Sequence, residues 1–360
     1  MVAETVNPRK EKMMPPAKPG FFQSIEGNSG KQVTIIDQLY GTHVISEPVL
    51  VSLLESPEMR RLGGVHQHGV TGLLGLSPRV TRLEHSVGAF LLVRKVGGSL
   101  EEQVAALLHD VSHTALSHVV DWALSKPGED SFHEVRKEQY LKTTQLPELL
   151  TKYGFEDQKP FHEDLFPLVE MPSPHLCADR LDYALRDSVA FGKLSPEDAR
   201  RVYVSLKAMP DATSPRRLLV LDNVELAHTL ARAYLATDRD IWSNRSNINL
   251  YQRTGELIGN LVRRGVVREE LLWEVSDEEF WEALRSAADP AGLESIRRLE
   301  TEGMPKEEGL QLPQGTKVRT IDPDTCQDVS KQPCPLSMVR PEWAVERQDY
   351  ILSRQQMMRA

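Results

Sequence analysis

AALLHDVSHTALSH, residues 105–118, is the stretch on which the reading of this chain turns. An apolar run from Val104 to Leu108 reads as a buried helix that ends in adjacent His109 and Asp110, with His113 and His118 following. Imidazole nitrogen beside carboxylate oxygen suits a divalent cation, because Zn, Mn, Fe, Ni and Co accept both donor types. Water on such a cation becomes a nucleophile near neutral pH. Two residues do not hold an ion, so partners are sought outward. RLEHS places His85 on an apolar helix upstream, FHE gives His133 downstream, and CADRLDYALRD supplies Asp179. Five of the eleven histidines fall between residues 85 and 133, in segments that otherwise read as core. Unpaired polar groups are costly to bury, so shared ligation is the simplest account of them. The alternative is that His109 meets a helix dipole and Asp110 caps a turn.

The 360 residues, with ordinary apolar content, suffice for one large domain or two modest ones. A net charge of −9 argues against a general nucleic-acid binder, which needs a basic surface for phosphates. Cys177, Cys326 and Cys334 are an odd, sparse set that gives neither a disulfide framework nor a CxxC site, as expected in a reducing compartment. The N-terminus mixes both charges with proline and lacks an apolar stretch of about 7–15 residues, so it reads as a tail rather than a secretory signal. No run of about 18 apolar residues suggests a membrane span.

KQVTIID, LYG and THVIS read as a β-hairpin around Gly41. Helices are expected at about residues 48–55 and from Ser56-Pro57, where serine caps and proline at the first helical position costs no hydrogen bond. Ser99 and Glu102 form the pattern of a capping box for the helix ending at His109, as do Ser276 and Glu279 for a later one. A helix over about 175–190 sets Asp179, Asp182, Tyr183 and Arg186 on one face. RVYVSL and RRLLVLD suggest a second hairpin, and KVRTID a late strand. The expected fold is mostly α with small β-hairpins. Residues 1–30 read as a disordered tail, 31–200 as the core, 201–300 as its helical extension, and 301–360 as a linker and C-terminal segment.

His113, close to the metal pair in sequence, is expected to donate to a phosphate oxygen or leaving group as a protonated imidazole. Asp121, one turn from His118, is placed to orient a histidine. Arg82, Arg180 and Arg186 are candidate phosphate ligands in an otherwise acidic chain, with ion pairs to Glu84, Asp182 or Asp187 as the alternative.

Taken together, these segments resemble the HD superfamily of metal-dependent phosphohydrolases, whose HD-domain helical bundle is then the expected fold. Within it they are most similar to the dNTP triphosphohydrolases, including the animal enzyme with a sterile alpha motif. TRLEHSVG matches that family's Arg-Phe-Glu-His-Ser-Leu-Gly stretch, and LLHDVSHTALSHVVD its His-Asp-x-x-His-x-x-x-x-His-x-x-Asp run. SPEMRRLGGVHQHG, FHE and DRLDYALRD match as well, whereas no sterile alpha motif is recognisable. The resemblance implies that His85, His109, Asp110 and Asp179 bind one divalent cation, whether Mn, Fe, Zn, Ni, Co or Mg. It implies catalytic roles for His113, Asp121 and His133, with His133 held by Asp121 as a proton donor. It implies substrate contacts for Gln67, Arg82, Arg180, Tyr183 and Asp187. Arg180 stands where the family has lysine, which keeps the charge and changes its geometry. SNRSNINLYQRTGELI resembles a segment bearing a further phosphate-binding arginine, for which Arg239 and Arg245 are candidates.

The expected activity is hydrolysis of a nucleotide, a deoxynucleoside triphosphate first. The alternatives are a nucleoside 5'-monophosphatase or cyclic-nucleotide phosphodiesterase, a di-iron oxygenase using His113, His118 and His133, and a nucleotide sensor without turnover. The expected partners are the nucleotide and further copies of the chain as a homo-oligomer, with no stable nucleic-acid partner and no membrane, in the cytoplasm or nucleus.

Overall fold

The computed structural model describes residues 22–28, 31–126, 128–326 and 332–359, and is mostly helical with two small sheets. The first hairpin forms as expected: Gln32–Asp37 pairs antiparallel with Gly41–Ile45, and Gly41 takes the φ of 87° that the turn requires. Alternation along Gln32–Asp37 buries Val33 and Ile35, and Asp37 at its end accepts the backbone N–H groups of Leu39 and Tyr40. A third strand, Phe22–Asn28, pairs antiparallel with Gln32–Asp37. The end of the expected tail is therefore a sheet edge, while residues 1–21 of that expectation lie outside the described residues.

Three helices build the centre. Arg82–Lys95 starts at a capping box in which the Thr81 hydroxyl accepts from the Glu84 N–H and the Glu84 carboxylate accepts from the Thr81 N–H. Most of this helix is buried on every side, as befits a helix surrounded by others. It packs against Leu100–Leu108 and Ala178–Ala190. At Leu100–Leu108 only half of the expected box exists: Ser99 caps Glu102 N–H, but the Glu102 carboxylate turns to Arg217 and the Leu168 N–H. The Ser276–Glu279 box is complete. A second apolar cluster forms where Arg245–Arg263 crosses Val119–Leu124.

Two expectations are corrected. RVYVS lies in the helix Pro196–Ser205, capped by the Ser195 hydroxyl, and the strands are Leu206–Met209 and Leu218–Leu221. The late strand is Asp324–Thr325 rather than KVRTID; it adds parallel to Leu218–Leu221 and pairs on its other edge with Cys334–Pro335. Residues 301–360 also do more than link. Ile321, Leu336, Trp343 and Tyr350 join the main core, with Trp343 fully buried in the helix Pro341–Met357. Among the described residues no helix is long and apolar enough to cross a membrane.

Candidate metal centre

The end of one central helix, the first turn of the second and the first turn of the third meet at a single point. His109 is the C-cap of Leu100–Leu108, and its Nδ1 lies 2.8 Å from the Ala106 carbonyl. That contact commits Nδ1–H to the backbone and leaves the Nε2 lone pair free. His85, one turn into Arg82–Lys95, sets Nδ1 2.9 Å from Asp182 Oδ2, which likewise frees its Nε2. The two Nε2 atoms are 3.1 Å apart. Asp179 Oδ1 is 3.0 Å from His85 Nε2 and 3.5 Å from His109 Nε2. Asp110 completes the group, 3.6 Å from His85 Nε2 and 3.8 Å from His109 Nε2. The ligand atoms of His85, His109 and Asp179 all lie within 4.8 Å of one another, close enough to share a cation, with Asp110 beside both histidines. Two imidazoles with committed outer nitrogens and two carboxylates fit a divalent transition metal.

The electrostatics fit as well. Burial opposes charge on His85, yet hydrogen bonds to Asp179 and Asp182 lift its pKa to about 10. Burial likewise opposes charge on His109, and Asp110 and Asp179 outweigh it. Asp179 stays well below the usual carboxylate range despite its burial, because both histidines face it. Asp110 is depressed as well, with a hydrogen bond from His113 and the charges of Arg82 and His109 overcoming desolvation. Metal-free, the centre is a set of ion pairs waiting to exchange protons for a cation. It opens to solvent at Asp179, whose side chain is 25% exposed while those of His85, His109 and Asp110 are 2%, 6% and 9%.

Behind the ligands stands a buried relay that local sequence patterns do not reveal. Asp182 accepts from His85, from the Tyr40 hydroxyl at 2.8 Å and from Arg186 Nε, and Arg186 Nη2 reaches Asp37 Oδ2 at 2.6 Å. Arg186 is thus a fully buried structural cation rather than the phosphate ligand its position suggested. The relay needs Gly88, where a Cβ would fall 1.8 Å from Asp182 Oδ1. Asp182 stands one turn beyond Asp179 on the same helix, which is the signal that points to it.

The loop after Asp110 brings a second histidine group together. Leu116 and Ser117 both adopt left-handed backbone, φ 62° and 49°. Such conformers cost about 1–3 kcal/mol each and persist only when over-determined. Here Leu116 N–H donates to Asp277 Oδ1, and Ser117 Oγ donates to the His66 carbonyl and accepts from Arg82 Nε. His113 stacks on His133 with centroids 3.6 Å apart, and His118 meets His113 edge-on at 5.0 Å. Their ligating nitrogens lie within 4.8 Å of one another, so this trio could also hold a metal.

Burial, then the neighbouring Arg82 charge, pushes the pKa of His113 well below its ordinary value, so it is neutral in the resting protein and not the protonated donor expected. Burial likewise pushes the pKa of His133 well below its ordinary value. Asp121 is also reassigned. Its Oδ2 takes His118 Nδ1 at 2.9 Å and its Oδ1 takes the Phe132 N–H, so it holds His118 directly and His133 only through the backbone beside it.

The expected substrate contacts divide. Arg82 Nη1 donates to Asp110 at 2.6 Å, while its Nη2 is buried with no hydrogen-bond partner among the described residues, as are Gln67 Oε1, His113 Nδ1 and His133 Nδ1. Arg82 and His113 both contact Asp110, so their unpartnered Nη2 and Nδ1 atoms stand beside the proposed metal ligands and are free for a bound group. Tyr183 bonds Tyr234 through its hydroxyl and packs its ring edge-on against Trp242, 6.2 Å from the His85 ring. Asp187 accepts from Trp242 Nε1 and lies 3.2 Å from His68 Nε2. Arg180 is spent on the carbonyls of Met171 and His175 and on Glu170. Arg239 and Arg245 lie outside the centre, paired with Asp240 and Glu307 on the surface.

A helical bundle that converges two histidines and two aspartates from three packed helices defines an HD-type metal-dependent phosphohydrolase. The chain belongs to that family: it is 60% identical over 341 residues to metal-dependent phosphohydrolase cns2 of Cordyceps militaris, covering 95% of this chain and 99% of that one. It is 34% identical to the uncharacterized protein YdhJ of Bacillus subtilis over 82% of this chain and 89% of that protein. Deoxynucleoside triphosphate triphosphohydrolase SAMHD1 of Gallus gallus is 28% identical over 140 residues, 33% of this chain and 23% of that enzyme. A phosphohydrolase of Bacteroides thetaiotaomicron shares the fold, with a TM-score of 0.62 at 17% identity over 85% of this chain and 94% of that one. No family model matches.

Proposed function

We propose that this hydrolase acts on nucleotides, with a deoxynucleoside triphosphate as the leading substrate. The observation that supports the nucleotide reading is the set of unpartnered buried polar atoms beside the centre, Arg82 Nη2, His113 Nδ1 and His133 Nδ1. The partial likeness to the triphosphohydrolases supports the finer choice. A divalent cation held by His85, His109, Asp110 and Asp179 would polarise the attacked phosphate and make water nucleophilic near pH 7. The remaining work falls to the chain. Arg82, anchored through Nη1, turns Nη2 to a phosphate oxygen. His118, half-exposed and oriented by Asp121, moves the proton at the cleft mouth through Nε2. His113 and His133 form a neutral, stacked wall that accepts or donates one hydrogen bond each.

A second reading, a nucleoside monophosphatase, is favoured by the cation inventory: Arg82 and Arg180 are largely committed to protein groups, which suits a substrate of fewer charges. Release of phosphate, pyrophosphate and triphosphate from a nucleotide panel, with Mn, Mg, Co, Ni, Zn and Fe(II) added singly to stripped protein, separates the two. Triphosphate from dNTPs supports the first, and orthophosphate from monophosphates the second. Metal-loaded protein silent across the panel refutes both.

A further inference from the structure

Three of the four ligands have a partner already described: Asp182 for His85, the Ala106 carbonyl for His109 and Arg82 for Asp110. Asp179 has different surroundings. It is the most exposed of the four and lies in the first turn of Ala178–Ala190, a helix whose N-cap is the Cys177 thiol, accepting the Arg180 N–H at 3.4 Å. Sulfur is a weak acceptor, so this helix start needs further support. An oxygen of Glu170, Cys177 Sγ and an oxygen of Asp179 lie within 4.8 Å of one another, which sets a second carboxylate beside the ligand. Two carboxylates at that range repel unless a cation lies against one of them. Arg180 is that cation, its Nη2 donating to Glu170 Oε1 at 3.2 Å. Its Nη1 donates to the carbonyls of Met171 at 2.9 Å and His175 at 2.7 Å and to Cys177 Sγ at 3.2 Å, so one guanidinium gathers residues 170–177 around itself. The approach is tied through the backbone as well, Ala178 N–H donating to the Leu168 carbonyl at 2.7 Å and Asp179 N–H to the Val169 carbonyl at 3.2 Å. Successive helix residues point about 100° apart, so Arg180 turns to this loop while Asp179 turns to the histidines.

We propose that Arg180 is a positioning residue for the metal ligand Asp179, acting through Glu170 and the loop it gathers, and not a contact of the substrate. Lysine would carry the charge without the contacts, because a compact ammonium lacks the planar fork that reaches two carbonyls, a thiol and a carboxylate together. Losing the fork leaves Glu170 to repel Asp179 and loosens the helix start, and both displace the ligand. The inference rests on the metal centre and is independent of the nucleotide reading.

The test uses the full chain, stripped of metal, with Arg180→Gln and Arg180→Lys and with Co(II) as the probe. Affinity is read by chelator competition, ligand geometry by the visible absorption of bound Co(II), and the fold by urea denaturation of the metal-free protein. Arg180→Gln should bind Co(II) about 10–100-fold more weakly, the range for losing a group that orients a ligand, and should shift its absorption band. Arg180→Lys should recover little of either. Should Arg180→Gln fail to fold, Glu170→Ala takes its place, with a loss of about ten-fold expected in the same direction. A fall in urea stability with Co(II) affinity within about twofold of wild type and an unchanged spectrum overturns the proposal, since Arg180 would then serve the fold alone. So does Co(II) binding untouched in both variants with a raised KM in Arg180→Gln that lysine repairs, since that is the mark of a substrate contact. Should the wild-type chain cleave no nucleotide, the substrate reading fails alone and the Co(II) titration still decides.

Discussion

Replacing Asp182 by asparagine tests the relay behind the metal most sharply. The fully buried carboxylate accepts from the Tyr40 hydroxyl at 2.8 Å, His85 Nδ1 at 2.9 Å and Arg186 Nε at 2.9 Å. An amide offers one acceptor oxygen and carries no charge, so at least one of these donors loses its partner. Breaking a buried ion pair typically costs about 3–5 kcal/mol, but Arg186 keeps Asp37 at 2.6 Å. The loss expected is therefore nearer that of one charged hydrogen bond, about 1.5–3 kcal/mol. The second effect falls on the metal. Without a carboxylate to hold Nδ1–H, the His85 proton is free to occupy Nε2, the atom that must ligate. Removing such an outer partner typically costs about 10–100-fold in metal affinity, or ~1.4–2.7 kcal/mol. Competition with a chromophoric chelator measures the second term, and urea denaturation of the metal-free protein the first. A variant that binds metal within about twofold of wild type while its stability falls would refute the reasoning, since it would show that Asp182 supports the core and not the ligand.

Gly88→Ala should reproduce that metal defect without touching a charged residue, because the new Cβ lands on Asp182 Oδ1 at 1.8 Å; normal metal affinity would show that the relay can shift. In the metal-free protein the His85 pKa is raised to about 10 from an ordinary 6.5, so its contribution to stability is complete below about pH 6.5 and is lost as pH climbs through about 10. A metal must displace that proton, so apparent affinity should rise with pH across this window, with proton release visible by calorimetry in buffers of different ionisation enthalpy; a flat profile counts against it. His118→Ala should cut kcat by about 10²–10⁴-fold with metal content intact, and Asp121→Asn should follow in the same direction; turnover at the wild-type rate would remove the proton-transfer role.

The convergence of His85, His109, Asp110 and Asp179 was legible because metal-ligating chemistry is confined to few residue types, and because each stood in a segment otherwise apolar. Helix starts at Ser56 and Ser276 were readable for a local reason, since a cap and its helix are neighbours in sequence. The relay was not, because Asp37, Asp182 and Arg186 pair across as many as 149 positions and no periodicity encodes that. The same holds for Asp277, which accepts from His66 and from Leu116 N–H over distances of 211 and 161 residues and so shapes the loop before His118. Asp121 was correctly seen as a histidine's partner, but which histidine depended on the backbone of Leu116 and Ser117. Lys317 and Arg319 lie in KVRTID, whose alternation resembled a strand, but its backbone is fixed by distant anchors on Asp238 and Pro174 and the strand forms two residues later, at Asp324–Thr325.

That anchored segment has a consequence for the order in which the protein is made. Every proposed metal ligand lies at or before residue 179, whereas the segment anchored on Asp238 and Pro174 follows residue 315 and is held by the helix Pro341–Met357, where Arg347 Nε donates to Thr320 Oγ1. On the ribosome, the ligand set emerges well before that segment. The interval means that the segment held by Arg347 and Asp238 can add to the ligand-bearing helices only after the last helix has been made.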